Sequence, residues 1–204
     1  MKKISYKFFI TLSLFVVLSA CQNGNSNSNT NTISVSALTD REITILSTTS
    51  DKSFVFDFDT GGEYKEVSLW IEKYEAGELI EGQLSEMTTQ INEKGSIVIS
   101  NPNITNAEKT LAFNIGIGDN GGTSSSSIYD THAMDLEHMA SVWGSFSGEL
   151  PLSEDEFVLA YIGYSNDKSG MRSLTTDFYQ NPQSHINELK AYDVAYLFKA
   201  KFIK

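Results

Sequence analysis

The chain has 204 residues, 15 basic against 26 acidic side chains, a formal net charge of −11 and one cysteine. That length suits a single domain with a sizeable core, and the acidity argues against nucleic acid and against docking on anionic lipid. One cysteine excludes an intramolecular disulfide, and its place in a polar, Asn-rich stretch excludes a Cys-based zinc site and a catalytic thiol in the folded part.

The first predicted element is an address rather than part of the fold. Lys2, Lys3 and Lys7 precede a largely apolar run of 11 residues from Phe8 to Leu18, and the run closes on Leu18-Ser19-Ala20-Cys21. A cationic start, a short apolar run and small residues before a cut site make a secretory signal peptide. A spanning helix needs about 20 apolar residues, so the run is too short to be a permanent one. The four residues Leu18 to Cys21 resemble the bacterial lipobox of Gram-positive-type lipoproteins. The resemblance implies diacylglycerol (with palmitate-type acyl chains) on the Cys21 sulfur, cleavage before Cys21, and anchoring on the extracytoplasmic face of the cell membrane. Each buried methylene contributes about 0.8 kcal/mol, and two or more chains give stable attachment. Residues 1–20 are therefore expected to be removed. They carry three lysines and no acid, which leaves 12 basic and 26 acidic residues, a net charge of −14.

Residues 21–32 are read as the lipidated cysteine and a tether. Gln22 to Thr32 holds no apolar residue, so it cannot offset its own ordering entropy. Its 11 residues give a typical reach of roughly 18 Å and a maximum near 40 Å.

Residues 33–204 are expected to form one domain. Phe54, Phe56 and Phe58 alternate with Val55, Asp57 and Asp59, and Thr60-Gly61-Gly62 ends the run. Val67, Leu69 and Ile71 alternate with Ser68, Trp70 and Glu72, and Glu75-Ala76-Gly77-Glu78 reads as a turn into Leu79-Ile80. Gly95 to Ser100 is a short β-branched run stopped by Asn101-Pro102. Leu111, Phe113, Ile115 and Ile117 face one way, with Ala112, Asn114, Gly116 and Gly118 opposite. Asp130 to Val142 is predicted as a short helix capped by Asp130 or Thr131, and Ser184 to Lys190 as another. Phe157 to Tyr164 is apolar on both faces, as a central strand is, and a last strand runs from about Tyr192 to Ile203. The fold expected is mainly β: a single antiparallel β-sandwich with one or two short helices, with an open β-barrel as the alternative.

Chemistry-bearing motifs are sparse. Asp57 to Glu63 begins like a calcium loop, but Ser68 stands where a bidentate Glu is needed and Phe58 belongs to an apolar face; a strand ending in a Gly-Gly turn accounts for it better. Gly118-Asp119-Asn120-Gly121-Gly122 has no strand-then-helix context for phosphate, and Asn-Gly at a hairpin turn explains it. His132, Asp135 and His138 would share a helix face, yet the two histidines are almost two turns apart, too far for a compact zinc site. No Gly-x-Ser-x-Gly elbow is present, and His185 is not marked as a triad member. No catalytic, metal or cofactor residue is assigned.

The aromatic placement points to binding. Trp70 and Tyr74 lie opposite the Val67–Leu69–Ile71 face and are expected outside the core, either packed over strand glycines or lining a shallow groove for sugar or peptide, with Trp143 joining them. The domain is similar in pattern and composition to small surface lipoproteins of low-GC Gram-positive bacteria, a resemblance that transfers no functional residue. The function expected is a non-enzymatic binding or accessory module of the cell envelope, anchored to the membrane through Cys21 and facing an envelope protein or a glycan, with no nucleic acid partner. The alternatives are an envelope hydrolase, metal-assisted through His132–His138, and an inhibitory or protective lipoprotein that sequesters a cationic toxin or protease.

Overall fold

The computed structural model describes residues 31–103, 110–131, 136–167 and 170–204. The signal, Cys21, the tether before residue 31, His132 and Asp135 lie outside them.

The domain is an antiparallel β-sandwich. Among the described residues, twelve strands form two sheets: β1 (Thr32–Val35), β2 (Ser50–Asp59), β3 (Glu66–Glu75), β4 (Glu78–Glu81), β5 (Glu86–Gln90), β6 (Lys94–Pro102), β7 (Leu111–Asp119), β8 (Gly122–Asp130), β9 (Ala140–Ser145), β10 (Glu149–Pro151), β11 (Phe157–Ser165) and β12 (Val194–Ile203). The first sheet has the order β10-β1-β2-β6-β7-β8; the second has the order β4-β3-β12-β11-β9, with β5 beside β4 on the free side of β3. The two sheets stay separate and close no barrel.

The period-two alternation seen in the sequence is what builds the interior. Phe54, Phe56, Phe58, Phe113, Ile115 and Ile117 of the first sheet meet Ile71, Tyr196, Phe198 and Phe202 of the second, all buried. Aromatic pairs cross the gap at Phe113–Phe198 (5.2 Å, edge-on), Phe58–Phe202 (5.5 Å) and Phe113–Tyr196 (5.0 Å). Such pairs add about 0.5–1.5 kcal/mol each beyond their buried area. The sequence-predicted central strand over Phe157–Tyr164 is β11, flanked by β12 and β9.

The helices differ from expectation in two places. Helix α1 (Asp40–Thr49) was not expected, because its Ile and Thr residues have low helix propensity. A capping box starts it: the Thr39 hydroxyl accepts the Glu42 N–H at 3.3 Å, and the Glu42 carboxylate accepts the Thr39 N–H at 2.7 Å. The helix expected over Asp130–Val142 is instead the end of β8, a 3-10 turn at Leu136–His138 and the start of β9. The physical reason is that Asp130 turns inward: its carboxylate receives Lys73 Nζ at 2.9 Å and Tyr196 OH at 2.7 Å, so it caps no helix.

The remaining helical segment sits near the C-terminus. It comprises α2 (Thr176–Gln180), α3 (Pro182–His185) and a 3-10 turn at Ile186–Ala191. The helix predicted over Ser184–Lys190 falls here, but the cap is Asn181, whose Oδ1 accepts the Ser184 N–H at 3.2 Å, with Pro182 in the first turn. This segment covers the outer face of the second sheet. The Tyr192 ring comes within 2.7 Å of where a Cβ on Gly163 would stand, Tyr161 packs on Tyr192 at 5.8 Å, and Leu174 N–H donates to Tyr161 OH at 3.1 Å. Rings do lie over strand glycines, as at Gly163 and at Gly95 beneath Phe58. They do not lie over Gly116 and Gly118, where an added Cβ would meet nothing closer than 3.5 Å.

Candidate functional site

Among the described residues, no such segment covers the outer face of the first sheet. Pairing across it sets polar and small side chains in rows. One row runs Glu149–Ser34–Asp57–Ser96–Gly118–Thr123 and crosses all six strands. The next two run Val55–Val98–Gly116–Ser125 and Ser53–Ser100–Asn114–Ser127. Apart from Val55 and Val98, which are half-buried, these residues are the polar or small half of the alternation whose apolar half makes the core.

At the end of the sheet where β1 begins, the face dips into an open concavity of about 690 Å³. Ser34, Asp57, Ser96 and Gly118 form its floor, with Thr32, Asp59, Lys94, Asp119 and Glu149 around them. The groups are ordered by one another. Ser96 Oγ donates to Asp57 Oδ1 at 2.7 Å. Lys94 Nζ meets Asp59 Oδ2 at 2.8 Å, and Asp59 Oδ1 accepts the Gly61 N–H at 3.0 Å. Asp119 accepts the Asn92 N–H at 2.7 Å and the Gly121 N–H at 2.6 Å.

These contacts set the charges. The hydrogen bond from Lys94 holds the Asp59 carboxyl below its ordinary value, and Asp59 in turn raises Lys94. The backbone donors of Asn92 and then Gly121 hold Asp119 down. The result is a shallow, hydroxyl-lined surface with fixed carboxylates and one exposed cation. It can hydrogen-bond polyols or peptide amides over a broad area.

The aromatic residues expected at a groove are placed otherwise. Trp70 is 5% and Tyr74 7% exposed, which corrects the expectation that they stand outside. They do lie on the face of β3 opposite Leu69 and Ile71, but that face is satisfied and covered. Tyr74 OH donates to Glu72 at 2.8 Å, Trp70 Nε1 donates to Glu72 at 3.4 Å, and Lys199 Nζ of β12 reaches Glu72 at 2.8 Å while lying 5.3 Å from the Trp70 ring centre. Burial alone would lower Lys199; Glu72 and Glu156 outweigh it and raise it. Trp143 is half-exposed on β9, with Lys52 Nζ 4.9 Å from its ring centre. β3 and β9 lie three strands apart in the second sheet, about 14 Å, so no groove joins Trp143 to Trp70.

The polar candidates are also located. His138 is exposed as the last residue of the 3-10 turn. His185 Nδ1 lies 3.1 Å from Glu188 Oε1, and Glu188 accepts the Thr175 hydroxyl at 2.7 Å and the Thr175 N–H at 2.9 Å. Thr175 Oγ1 meanwhile caps α2 by accepting the Phe178 N–H at 3.3 Å. Glu188 therefore ties the cap of one helix to the end of another. Asp57 to Gly62 is a strand end and turn, and Asn120–Gly121 is a hairpin turn, both as read from the sequence. Among the described residues, no three His, Cys, Asp or Glu side chains converge to hold a metal ion, and no helix is long and apolar enough to cross a membrane.

The bare face was missed by a reading that followed aromatics. Its signal was present in the polar positions Ser34, Asp57, Ser96 and Gly118, but only the strand order brings them into one row. The family model described as the YgaN domain matches residues 32–202. No curated protein and no solved structure matches the chain.

Proposed function

The chain belongs to the YgaN domain family, and we propose that it is a lipid-anchored binding or accessory module on the extracytoplasmic face of the cell membrane. The observation that carries the binding reading is an asymmetry. One sheet has its outer face covered by α2, α3 and the 3-10 turn, while among the described residues no helix covers the rows of mostly Ser, Thr, Asn and Gly, with Asp57, Val55 and Val98 among them, on the other. A sheet face lined with short hydroxyl side chains loses little rotamer entropy when it meets a flat polar partner. The partner class this surface fits is an envelope protein or glycan.

Support for the anchor comes from the signal ending at Cys21 and from the geometry of entry. β1 begins at Thr32, which lines the concavity. A tether reaching roughly 18 Å would therefore keep this end of the sheet near the membrane, with its partner in the same layer.

The test has two arms. In a bacterial host, the wild-type chain is expected in the membrane fraction carrying labelled palmitate, and Cys21→Ser is expected to lose the label and leave that fraction. Labelling that survives Cys21→Ser overturns the anchor. Separately, co-sedimentation with purified envelope glycan and with detergent-solubilised envelope proteins is compared between wild type and Ser34→Arg/Ser96→Arg. At least tenfold weaker retention with an unchanged melting temperature supports the face; equal retention overturns it.

A further inference from the structure

Among the described strands, β8 ends the first sheet and pairs with β7 alone; it is nine residues long. The two-residue turn at Asn120–Gly121 makes Asp119–Gly122 a hydrogen-bonded pair. Alternation along an antiparallel ladder then turns the backbone N–H and C=O groups of Thr123, Ser125, Ser127 and Tyr129 away from β7. Among the described residues, no backbone group bonds to them on that side. Thr123, Ser125, Ser127 and Tyr129 are also exposed, Tyr129 at 59%.

Free edges are normally blunted by charge, proline or shortness, because a row of unpaired donors and acceptors templates pairing with another chain. The other edges of this sandwich are blunted. β10 has three residues, among them Glu149 and Pro151; β4 carries Glu78 and Glu81; β5 carries Glu86. β9 has six residues and its Trp143 ring engages Lys52. β8 has no charge and no proline from Gly122 to Tyr129, and its one acid, Asp130, is turned inward onto Lys73 and Tyr196.

We propose that β8 is a self-association edge, at which two copies of this chain pair antiparallel about a two-fold axis through Ser126. Ser125 of each copy would face Ser127 of the other, Thr123 would face Tyr129, and two six-stranded sheets would become one continuous sheet. The argument for a second copy is electrostatic and geometric. A chain of net charge −11 repels itself along Glu-bearing edges. At β8 a second copy meets no carboxylate, and the outward groups of the strand are complementary to themselves under a two-fold axis. One strand pair buries less than the about 1,200 Å² of a stable interface, so the dimer is weak and concentration-dependent. The pairing does not depend on the lipid anchor.

The pairing places Ser126 opposite its own copy as a non-hydrogen-bonded pair with Cα atoms about 4.5 Å apart, inside the range that a disulfide spans. The experiment uses the full chain in detergent micelles under mild oxidation, with Cys21 alone as the background. Ser126→Cys is expected to give at least fivefold more disulfide-linked dimer than Thr48→Cys, which places the thiol on exposed α1. Adding Ser125→Pro, whose N–H faces away from β7, is expected to abolish the cross-link while leaving the circular dichroism spectrum unchanged; Ser127→Lys is expected to do the same. Cross-linking at Ser126→Cys no greater than at Thr48→Cys overturns the proposal. So does a cross-link that survives both edge variants, or capture of a different protein in place of the homodimer.

Discussion

Ala76 occupies the left-handed region at φ 49°, followed by Gly77 at φ 84°, in the two-residue turn between β3 and β4. Two positive φ values are what a turn matching the strand twist requires, but an alanine there costs on the order of 1 kcal/mol. Gly77 is fixed by a close approach, since a Cβ would press on the Lys190 side chain and backbone. Ala76 meets no such limit and only needs a residue that tolerates the conformation. Ala76→Asn is therefore expected to stabilise the domain by about 0.5–1 kcal/mol, read as a higher urea midpoint at unchanged slope; an unchanged or lower midpoint would contradict the turn assignment. The turn itself was legible from Glu75-Ala76-Gly77-Glu78. The burial of Trp70 and Tyr74 was not. Alternation correctly put them on the face opposite Ile71, but whether that face meets solvent depends on Glu72, Lys199 and neighbouring strands contributed from elsewhere in the chain.

Helix α1 shows what an element can do without a core. None of its residues is buried, Ile43 is 51% and Ile45 54% exposed, and it is held by its cap and by hydroxyl-to-carbonyl bonds such as Thr44 to Asp40 at 2.7 Å. Thr39→Ala removes the two bonds of the Thr39 hydroxyl, from the Glu42 N–H and to the Glu42 carboxylate, and leaves the backbone Thr39 N–H to that carboxylate, at a cost of about 1 kcal/mol to the helix. Because the element buries nothing, the loss is expected to stay local: faster amide hydrogen exchange within Thr44–Thr49 with the melting temperature nearly unchanged. A drop in melting temperature of several degrees would show that α1 is coupled to the core. The segment Asp130–Val142 makes the opposite point. Its sequence offers a cap and a plausible helical face, but a buried ion pair between sheets claimed the capping residue, and a tertiary contact outweighed local propensity.

At the scale of the molecule, the acidic balance couples stability to pH. Asp119 is held below its ordinary value of 3.8 by the backbone donors of Asn92 and Gly121, and Asp59 is held below 3.8 by the hydrogen bond from Lys94. A native pKa below the unfolded one adds stability that is fully present above the unfolded value and is lost as pH falls through the native one. Asp119→Asn keeps the shape and removes the charge. It is expected to lower stability at pH 7 and to give a shallower loss on acidification, so that the two curves approach each other as pH falls below 3.8 toward the native value. Urea unfolding at pH 7, 4 and 3 checks this; parallel curves would show that Asp119 titrates alike in the folded and unfolded states.

The β class, the tight turns and most strands were determined by the sequence itself, because alternation and turn chemistry are local and leave a direct trace in residue order. The proposed anchor at Cys21 rests on the sequence alone, since Cys21 lies outside the described residues. Which face of each strand stays bare was decided only by the tertiary structure. A strand's outward half reads the same whether a ring covers it, as Tyr192 covers Gly163, or no described ring does, as over Gly116 and Gly118. The row from Glu149 to Thr123 joins residues up to 115 positions apart. No periodicity in the chain encodes that neighbourhood; the order in which strands pair does.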